Sequence, residues 1–258
     1  RLSLYHKDTP IHLSDVMPIL ENFGLRVIGE TPYAVATETG HNWIMDFTMT
    51  LTTGDNSDFE RTQELFQQAF AAVWSNQLEN DGFNRLVLGA KLSGRQASVI
   101  RAYAKYMRQI GVTFSQSYIE STFDRYPEIA GKLVDLFTLK FKPGKSSEKK
   151  YEKAKDALLL ELDNVANLDD DRIIRLYITL MDATLRTNFY QGDEQGNDKP
   201  YISFKLLPEE IPEVPLPRPK FEIFVYSPRI EGVHLRGGKV ARGGLRWSDR
   251  MEDFRTEV

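Results

Sequence analysis

Apolar and polar positions alternate from the start of the chain. Leu2 and Leu4 alternate with Ser3 and Tyr5, which predicts a short strand. A turn through Asp8, Thr9 and Pro10 follows. Val16, Ile19, Leu20 and Phe23 then recur at helical spacing, with Ser14 as the expected N-cap and Gly24 as the stop. Residues 25–35 are β-rich, and Pro32 within them implies an edge strand or a bulge. Residues 42–51 show the cleanest alternation. Trp43, Met45, Phe47, Met49 and Leu51 share one face, and Asp46, Thr48 and Thr50 share the other. A turn at Thr53, Gly54 and Asp55 leads to a capping box, Ser57-Asp58-Phe59-Glu60, which opens a helix with Phe66, Ala69, Phe70 and Val73 on one side. The order β-α-β-β-α is most of a ferredoxin-like βαββαβ unit. Residues 85–90 (RLVLGA) read equally as its last strand or as a short helix.

The middle of the chain has helical periodicity. Val99, Tyr103, Tyr106, Met107 and Ile110 fit one face, with Gly111 as a stop. Residues 114–141 predict two helices broken near Tyr126-Pro127. Tyr151, Ala154, Leu158, Leu162 and Val165 mark another helix. Ile174, Ile178, Met181 and Leu185 mark the last, with Asp169, Asp170 and Asp171 near its positive end. Beyond the polar stretch QGDEQGNDK, residues 201–206 and 221–226 read as strands. The five prolines within 208–219 predict an extended, rigid connector between them. The fold class is therefore α+β: a βαββα unit over 1–84, a helical domain over 85–190, and a linker with strands and a β-hairpin over 191–258. The chain enters a strand pattern at Arg1 and stops at Val258 inside a helical one, so a segment of a longer protein is expected.

Composition narrows the function. With 258 residues, 41% hydrophobic and 27% charged, the chain reads as globular, and its length suggests about two domains. A net charge of −4 does not favour nucleic acid or an anionic membrane as partner. The absence of cysteine excludes disulfides and thiolate chemistry and fits a reducing, cytoplasmic setting. No apolar run approaches a membrane span, and no signal-peptide pattern opens the chain.

Few motifs survive inspection. Pro143-Gly144-Lys145-Ser146 resembles the end of a phosphate-binding loop, but that motif needs a glycine where Leu139 stands, so Ser146 or Ser147 reads better as a helix cap. His6, His12, His41 and His234 have no metal-ligand spacing. No nucleophile elbow occurs. Tyr103, Tyr106, Phe114, Tyr118, Phe123 and Tyr126 are spaced as core rather than as a base-stacking surface.

The stretch 229–250 is different. Arg229, Arg236, Lys239, Arg242, Arg246 and Arg250 face only Glu231 and Asp249 in acid. Gly237-Gly238 reads as a hairpin turn. Gly243-Gly244 interrupts the returning strand, as glycines do where a ligand or another backbone approaches closely. Three readings compete: an RNA-binding Arg-Gly-Gly tract, a structural hairpin with a solvated basic face, and a pocket for a carboxylate or phosphate. The apolar alternation of Val233, Leu235, Val240, Leu245 and Trp247 argues against the first. A guanidinium's forked donors match a carboxylate and so support the third. A stand-alone module that binds an anionic macromolecule through this hairpin is the alternative.

FEIFVYSPRIEGVHLRGGKVARGGLRWSDRMEDFRTEV (221–258) closely resembles the opening of the catalytic region of the large bacterial NAD-specific glutamate dehydrogenases. ENDGFNRLVLGAKLSGRQASVIRAYAKYMRQI (79–110) resembles the helical stretch before it, and residues 1–75 are similar to that family's ACT-like regulatory module. The resemblance implies oxidative deamination of L-glutamate to 2-oxoglutarate and ammonia, with NAD as hydride acceptor, in a homo-oligomer. It makes 1–84 an ACT-like regulatory module, with an amino-acid effector near residues 8–14 or with subunit contacts as its role, and 191–258 the start of the substrate domain. A Lys-Gly-Gly-Leu-Arg type motif contributes to the glutamate pocket in the wider superfamily. The matching residues here are Arg242, Gly243, Gly244, Leu245 and Arg246, with Arg242 where the smaller hexameric enzymes usually carry lysine. The catalytic lysine and aspartate and the glycine-rich NAD-binding domain are implied beyond Val258. No catalytic, cofactor-binding or metal residue is expected within the chain, and no dehydrogenase activity from it alone.

Overall fold

A computed structural model of the chain describes residues 1–37, 40–52, 59–144 and 146–257. They form two compact units, Arg1–Ala97 and Ser98–Val258.

In the first unit β1 (Leu2–Lys7), α1 (Leu13–Asn22), β2 (Leu25–Thr37), β3 (Gly40–Leu51) and α2 (Phe59–Trp74) follow in the expected order. The sheet is antiparallel with strand order β1-β3-β2. Met45 and Phe47 point from β3 into a core with Val16, Ile19, Leu20 and Phe23 of α1 and Phe66, Ala69, Phe70 and Val73 of α2. Phe23 and Phe66 meet edge to face at 5.2 Å. Pro32 stands on the edge strand β2, the position in a sheet where proline is tolerated, and a bulge lies between Val27 and Gly29. Gly24 ends α1 with φ +76°.

Two expectations in this unit are resolved differently or more narrowly. Ser14 is not the cap of α1: the helix starts at Leu13, with His12 in the cap position and no side-chain bond there. Residues 85–89 form a helix, α3 (Arg85–Gly89), entered through a 3-10 turn, Gly82–Asn84, capped by the Asp81 carboxylate. Successive residues Leu86 and Val87 are both buried. A strand with one face to solvent cannot bury neighbours in that way. Among the described residues the sheet therefore keeps three strands. The turn expected at Thr53 to Asp55 and the cap expected at Ser57 lie outside the described residues.

The second unit combines helices and a sheet. Its helices are α4 (Gly94–Gln109), which starts in the first unit, α5 (Gln116–Arg125), α6 (Pro127–Phe141), α7 (Glu148–Leu162) and α8 (Leu168–Ala183). The break expected at Tyr126-Pro127 is where α5 ends and α6 begins, with Pro127 in the first turn of α6. Asn167 caps α8 by accepting from the amides of Asp169 and Asp170 at 2.9 and 3.1 Å. Ser147 occupies the cap position of α7 without a side-chain bond, and Lys145 of the loop-like motif lies outside the described residues.

β4 (Thr184–Thr187), β5 (Ile202–Leu206), β6 (Phe221–Ser227), β7 (Ile230–Gly237) and β8 (Val240–Gly244) form an antiparallel meander in chain order, followed by α9 (Trp247–Glu257). Sheet and helices share a core. The Tyr103 ring stacks on Phe204 at 4.3 Å, and its hydroxyl lies 3.0 Å from the Thr184 hydroxyl. Phe137 meets Phe204 and Phe189 edge on. Tyr106 reaches Phe224 and donates to the buried carboxylate of Glu222; burial and that carboxylate push the Tyr106 phenol well above its usual range. Of the aromatic series, Tyr103, Tyr106 and Phe123 are buried, while Phe114, Tyr118 and Tyr126 are half-buried.

Leu185 belongs to β4, not to the last helix. Lys140 Nζ donates to the carbonyls of Met181 and Asp182 at 2.8 and 2.7 Å and so caps α8 at Ala183. The proline segment is not an extended connector. It opens with a 3-10 turn, Pro208–Glu210, and buries Ile211 and Val214. Arg218 folds back on it, donating to the carbonyls of Val214 and Pro212 at 3.0 Å each. Two buried apolar anchors outweigh the extended preference of isolated prolines.

Candidate functional site

The basic stretch folds as the β7–β8 hairpin with α9 laid against it. The turn is Gly238-Lys239 rather than Gly237-Gly238: Gly238 has φ +60°, and Gly237 still pairs with Val240. Gly243 and Gly244 do not interrupt the returning strand, since they pair opposite His234 and Val233. Opposed residues of an antiparallel pair share a face. Val240, Arg242 and Gly244 thus lie on the face of Val233, Leu235 and Gly237, and Gly243 lies on the other face with His234.

α9 covers the first of these faces. A Cβ on Gly237 would stand 2.6 Å from Phe254 Cζ, and one on Gly244 would stand 2.8 Å from Arg250 Nε. Arg250 and Phe254, four residues apart, occupy one side of the helix. Both glycines are thus clearances for α9 side chains. Gly243 has only ordinary contacts, 3.6 Å and beyond.

The expected site residues are only partly brought together. Arg242 and Gly244 share the covered face. Arg242 Nη1 donates to the Ala241 carbonyl at 2.9 Å. Arg246 lies past the end of β8, exposed, and its carbonyl accepts from the Arg250 amide at 3.3 Å. Sequence reasoning did not foresee that Arg250 packs against Gly244. Its signal was the four-residue spacing from Arg246 and to Phe254, which becomes informative only once 247–257 is a helix packed on the hairpin.

The last turn of α4 braces the hairpin from another side. Glu231 accepts from Arg108 Nη2 at 2.7 Å and from Gln109 Nε2 at 3.0 Å, with Lys105 Nζ at 3.8 Å. Gln109 Nε2 also lies 3.4 Å from the Leu245 carbonyl, within the candidate run. The start of β7 and the exit of β8 are therefore fixed by one helix end.

The turn at residues 8–14 is held by its own contacts: Asp8 N donates to the His41 carbonyl at 2.8 Å, and His6 Nδ1 lies 2.7 Å from the Thr9 carbonyl. A cavity of about 430 Å³ beside it is lined by Tyr5, His6, Lys7, Val35, Asn42 and Ile44. Among the described residues no group of three or more His, Asp or Glu side chains is placed to hold a metal ion. No helix among them is long and apolar enough to cross a membrane.

Three family models match the chain in succession: the ACT3 domain of glutamate dehydrogenase over residues 1–62, glutamate dehydrogenase helical motif 3 over 78–143, and the catalytic domain of bacterial NAD-glutamate dehydrogenase over 157–258. The NAD-specific glutamate dehydrogenase of Pseudomonas aeruginosa is 54% identical over 99% of the chain. That of Halomonas elongata is 50% identical over 100%, and that of Mycobacterium tuberculosis 44% over 95%. The chain spans 16% of the length of each of these relatives. ACT3 region, helical motif and catalytic-domain segment follow one another here as one continuous match, so the chain is a segment belonging to the bacterial NAD-specific glutamate dehydrogenases.

Proposed function

We propose that this chain serves an enzyme that oxidatively deaminates L-glutamate to 2-oxoglutarate and ammonia with NAD, and that 229–250 forms one wall of its glutamate pocket. The observation that carries this reading is Arg242 on the α9-covered face of β8, beside Gly244, in a segment matched by the catalytic-domain model. Arg242, Gly243, Gly244 and Arg246 are the proposed substrate-binding run. A half-buried guanidinium there meets a carboxylate with two parallel N–H donors, and low local dielectric strengthens the contact. Arg246, exposed at the strand's end, adds positive charge at the pocket's entrance.

Residues 1–84 act as an ACT-like regulatory module, 85–190 as a helical scaffold, and 191–258 as the start of the substrate domain. Subunit contacts in a homo-oligomer suit the module better than an amino-acid effector, because the amides of Asp8 and Thr9 already donate to the His41 and Lys7 carbonyls and the Thr9 carbonyl is met by His6 Nδ1.

NAD does not fit the residues of this segment. Both sheets are antiparallel among the described residues, so they offer no crevice at the carboxyl ends of parallel strands, and the sequence contains no Gly-x-Gly-x-x-Gly turn. No step of hydride transfer is therefore assigned to these side chains, and the chain alone is proposed to be inactive. The full-length protein should form NADH from glutamate and NAD, while the purified chain should form none above the enzyme-free background. Glutamate-dependent NADH formation by the chain itself would contradict the inactive-segment reading, and none by the full-length protein would contradict the proposed reaction.

A further inference from the structure

We propose that Gln109, the last residue of α4, is a positioning residue of this pocket: anchored on Glu231, it holds the main chain at Leu245 and so directs Arg246. The inference rests on the proposed glutamate-pocket reading and adds to it a residue of the helical region. Gln109 lies within the match to helical motif 3, whereas the hairpin lies within the catalytic-domain match.

Three observations converge on it. First, the anchor is firm. Glu231 accepts from Gln109 Nε2 at 3.0 Å and from Arg108 Nη2 at 2.7 Å, with Lys105 Nζ at 3.8 Å. All three donors stand at the end of one helix, where residues three and four apart share a side. Glu231 keeps 17% of its side chain exposed and Lys105 keeps 8%, so solvent and salt screen this cluster little. Second, the same Gln109 nitrogen lies 3.4 Å from the Leu245 carbonyl. A side-chain amide carries two N–H donors, one for Glu231 and one for Leu245. A single side chain thereby ties the start of β7 to the exit of β8, at the end of the hairpin away from its turn. Third, Arg246 follows directly. Its own carbonyl accepts from the Arg250 amide at 3.3 Å. The peptide units before and after Arg246 are thus both held, one by α4 and one by the first turn of α9. Its side chain is exposed and has no hydrogen bond or ion pair among the described residues.

A cation carried on a fixed main chain gives up less freedom when it meets a carboxylate, which is how preorganisation favours binding. Gln109 touches no substrate in this account. It sets where the charge of Arg246 is presented, as a supporting residue does for a binding group.

The test uses the full-length protein. Gln109→Met keeps the side-chain length and removes both donors. It should raise the KM for glutamate about threefold to tenfold and leave the KM for NAD within about twofold. Gln109→Asn keeps the amide but is too short to span Glu231 and Leu245. It should move the same constant in the same direction, and it serves if Gln109→Met fails to fold. The decisive variant combines Gln109→Met with Arg246→Gln. Because Gln109 acts through Arg246, the double variant should lie within about twofold of Arg246→Gln alone, whereas a general loosening of the fold would multiply the two effects. Multiplied effects would overturn the inference. So would an unchanged KM for glutamate in the Gln109 variants or in Arg246→Gln while Arg242→Gln raises it, a result that leaves the pocket reading standing. Unchanged values in every variant, Arg242→Gln included, would overturn both.

Discussion

Phe137→Ala is expected to cost the second unit about 3–5 kcal/mol of stability, the range for truncating a fully enclosed aromatic side chain. Phe137 lies on α6 with no exposed surface. Its ring meets Phe141 at 4.9 Å, Phe189 at 5.3 Å, Phe204 at 6.1 Å and Tyr103 at 6.4 Å between centroids. Those partners come from α6 itself, from the segment after β4, from β5 and from α4. Removing the ring opens a void that rigid elements on several sides cannot close together. Phe137→Leu, which keeps most of the volume, should cost much less, about 1.5 kcal/mol or below. Chemical denaturation of the chain followed by far-UV circular dichroism reads both values. A loss under about 1 kcal/mol for the alanine variant would mean that helices and meander do not share this core.

Asp170→Asn should destabilise the same unit by about 2–3 kcal/mol, below the full cost of breaking a buried ion pair because Arg125 can turn to water. Asp170 is fully buried, and its carboxylate accepts from Thr122 Oγ1 at 2.9 Å and from Arg125 Nε and Nη2 at 3.0 and 2.5 Å. Arg125 keeps 45% of its side chain exposed. Burial raises the Asp170 carboxyl, but the hydrogen bonds from Arg125 and Thr122 outweigh it and hold the group below the usual carboxylate range. A carboxyl depressed on folding stabilises the native state above its unfolded value, roughly pH 4, and that stabilisation is lost as pH falls through the lower folded value. The gap between wild type and Asp170→Asn should therefore narrow on acidification below about pH 4. A gap that stays constant from neutral pH into that range would show that the charge on Asp170 is not what stabilises this contact.

Much of this architecture is legible in the sequence because the strongest periodic signals coincide with large burial. Val99, Tyr103, Tyr106, Met107 and Ile110 read as one helical face, and all five are buried. The alternation at Met45 and Phe47 likewise marks the inner face of β3. The features that escaped depend on partners distant in sequence. β4 is four residues long with no clean alternation, and what ends the preceding helix is Lys140, 41 residues from the Met181 carbonyl it caps. The proline segment folds back because Ile211 and Val214 find a core that composition does not announce. At the candidate site the two Arg-Gly-Gly triplets mark a hairpin, but the work of each glycine is set by α9. Gly237 yields to Phe254 and Gly244 to Arg250, contacts that no local pattern encodes. Arg242 was legible as a candidate by its type and neighbours, whereas the packing of Arg250 on Gly244 becomes legible only when the helix is seen to lie on the strand.

The most direct test of the account is the pair of Michaelis constants of the full-length protein carrying Arg242→Gln. The account predicts a KM for glutamate raised about tenfold or more, with the KM for NAD within about twofold of wild type, since loss of one charge-assisted fork removes substrate binding without touching the nucleotide. An unchanged KM for glutamate would contradict it.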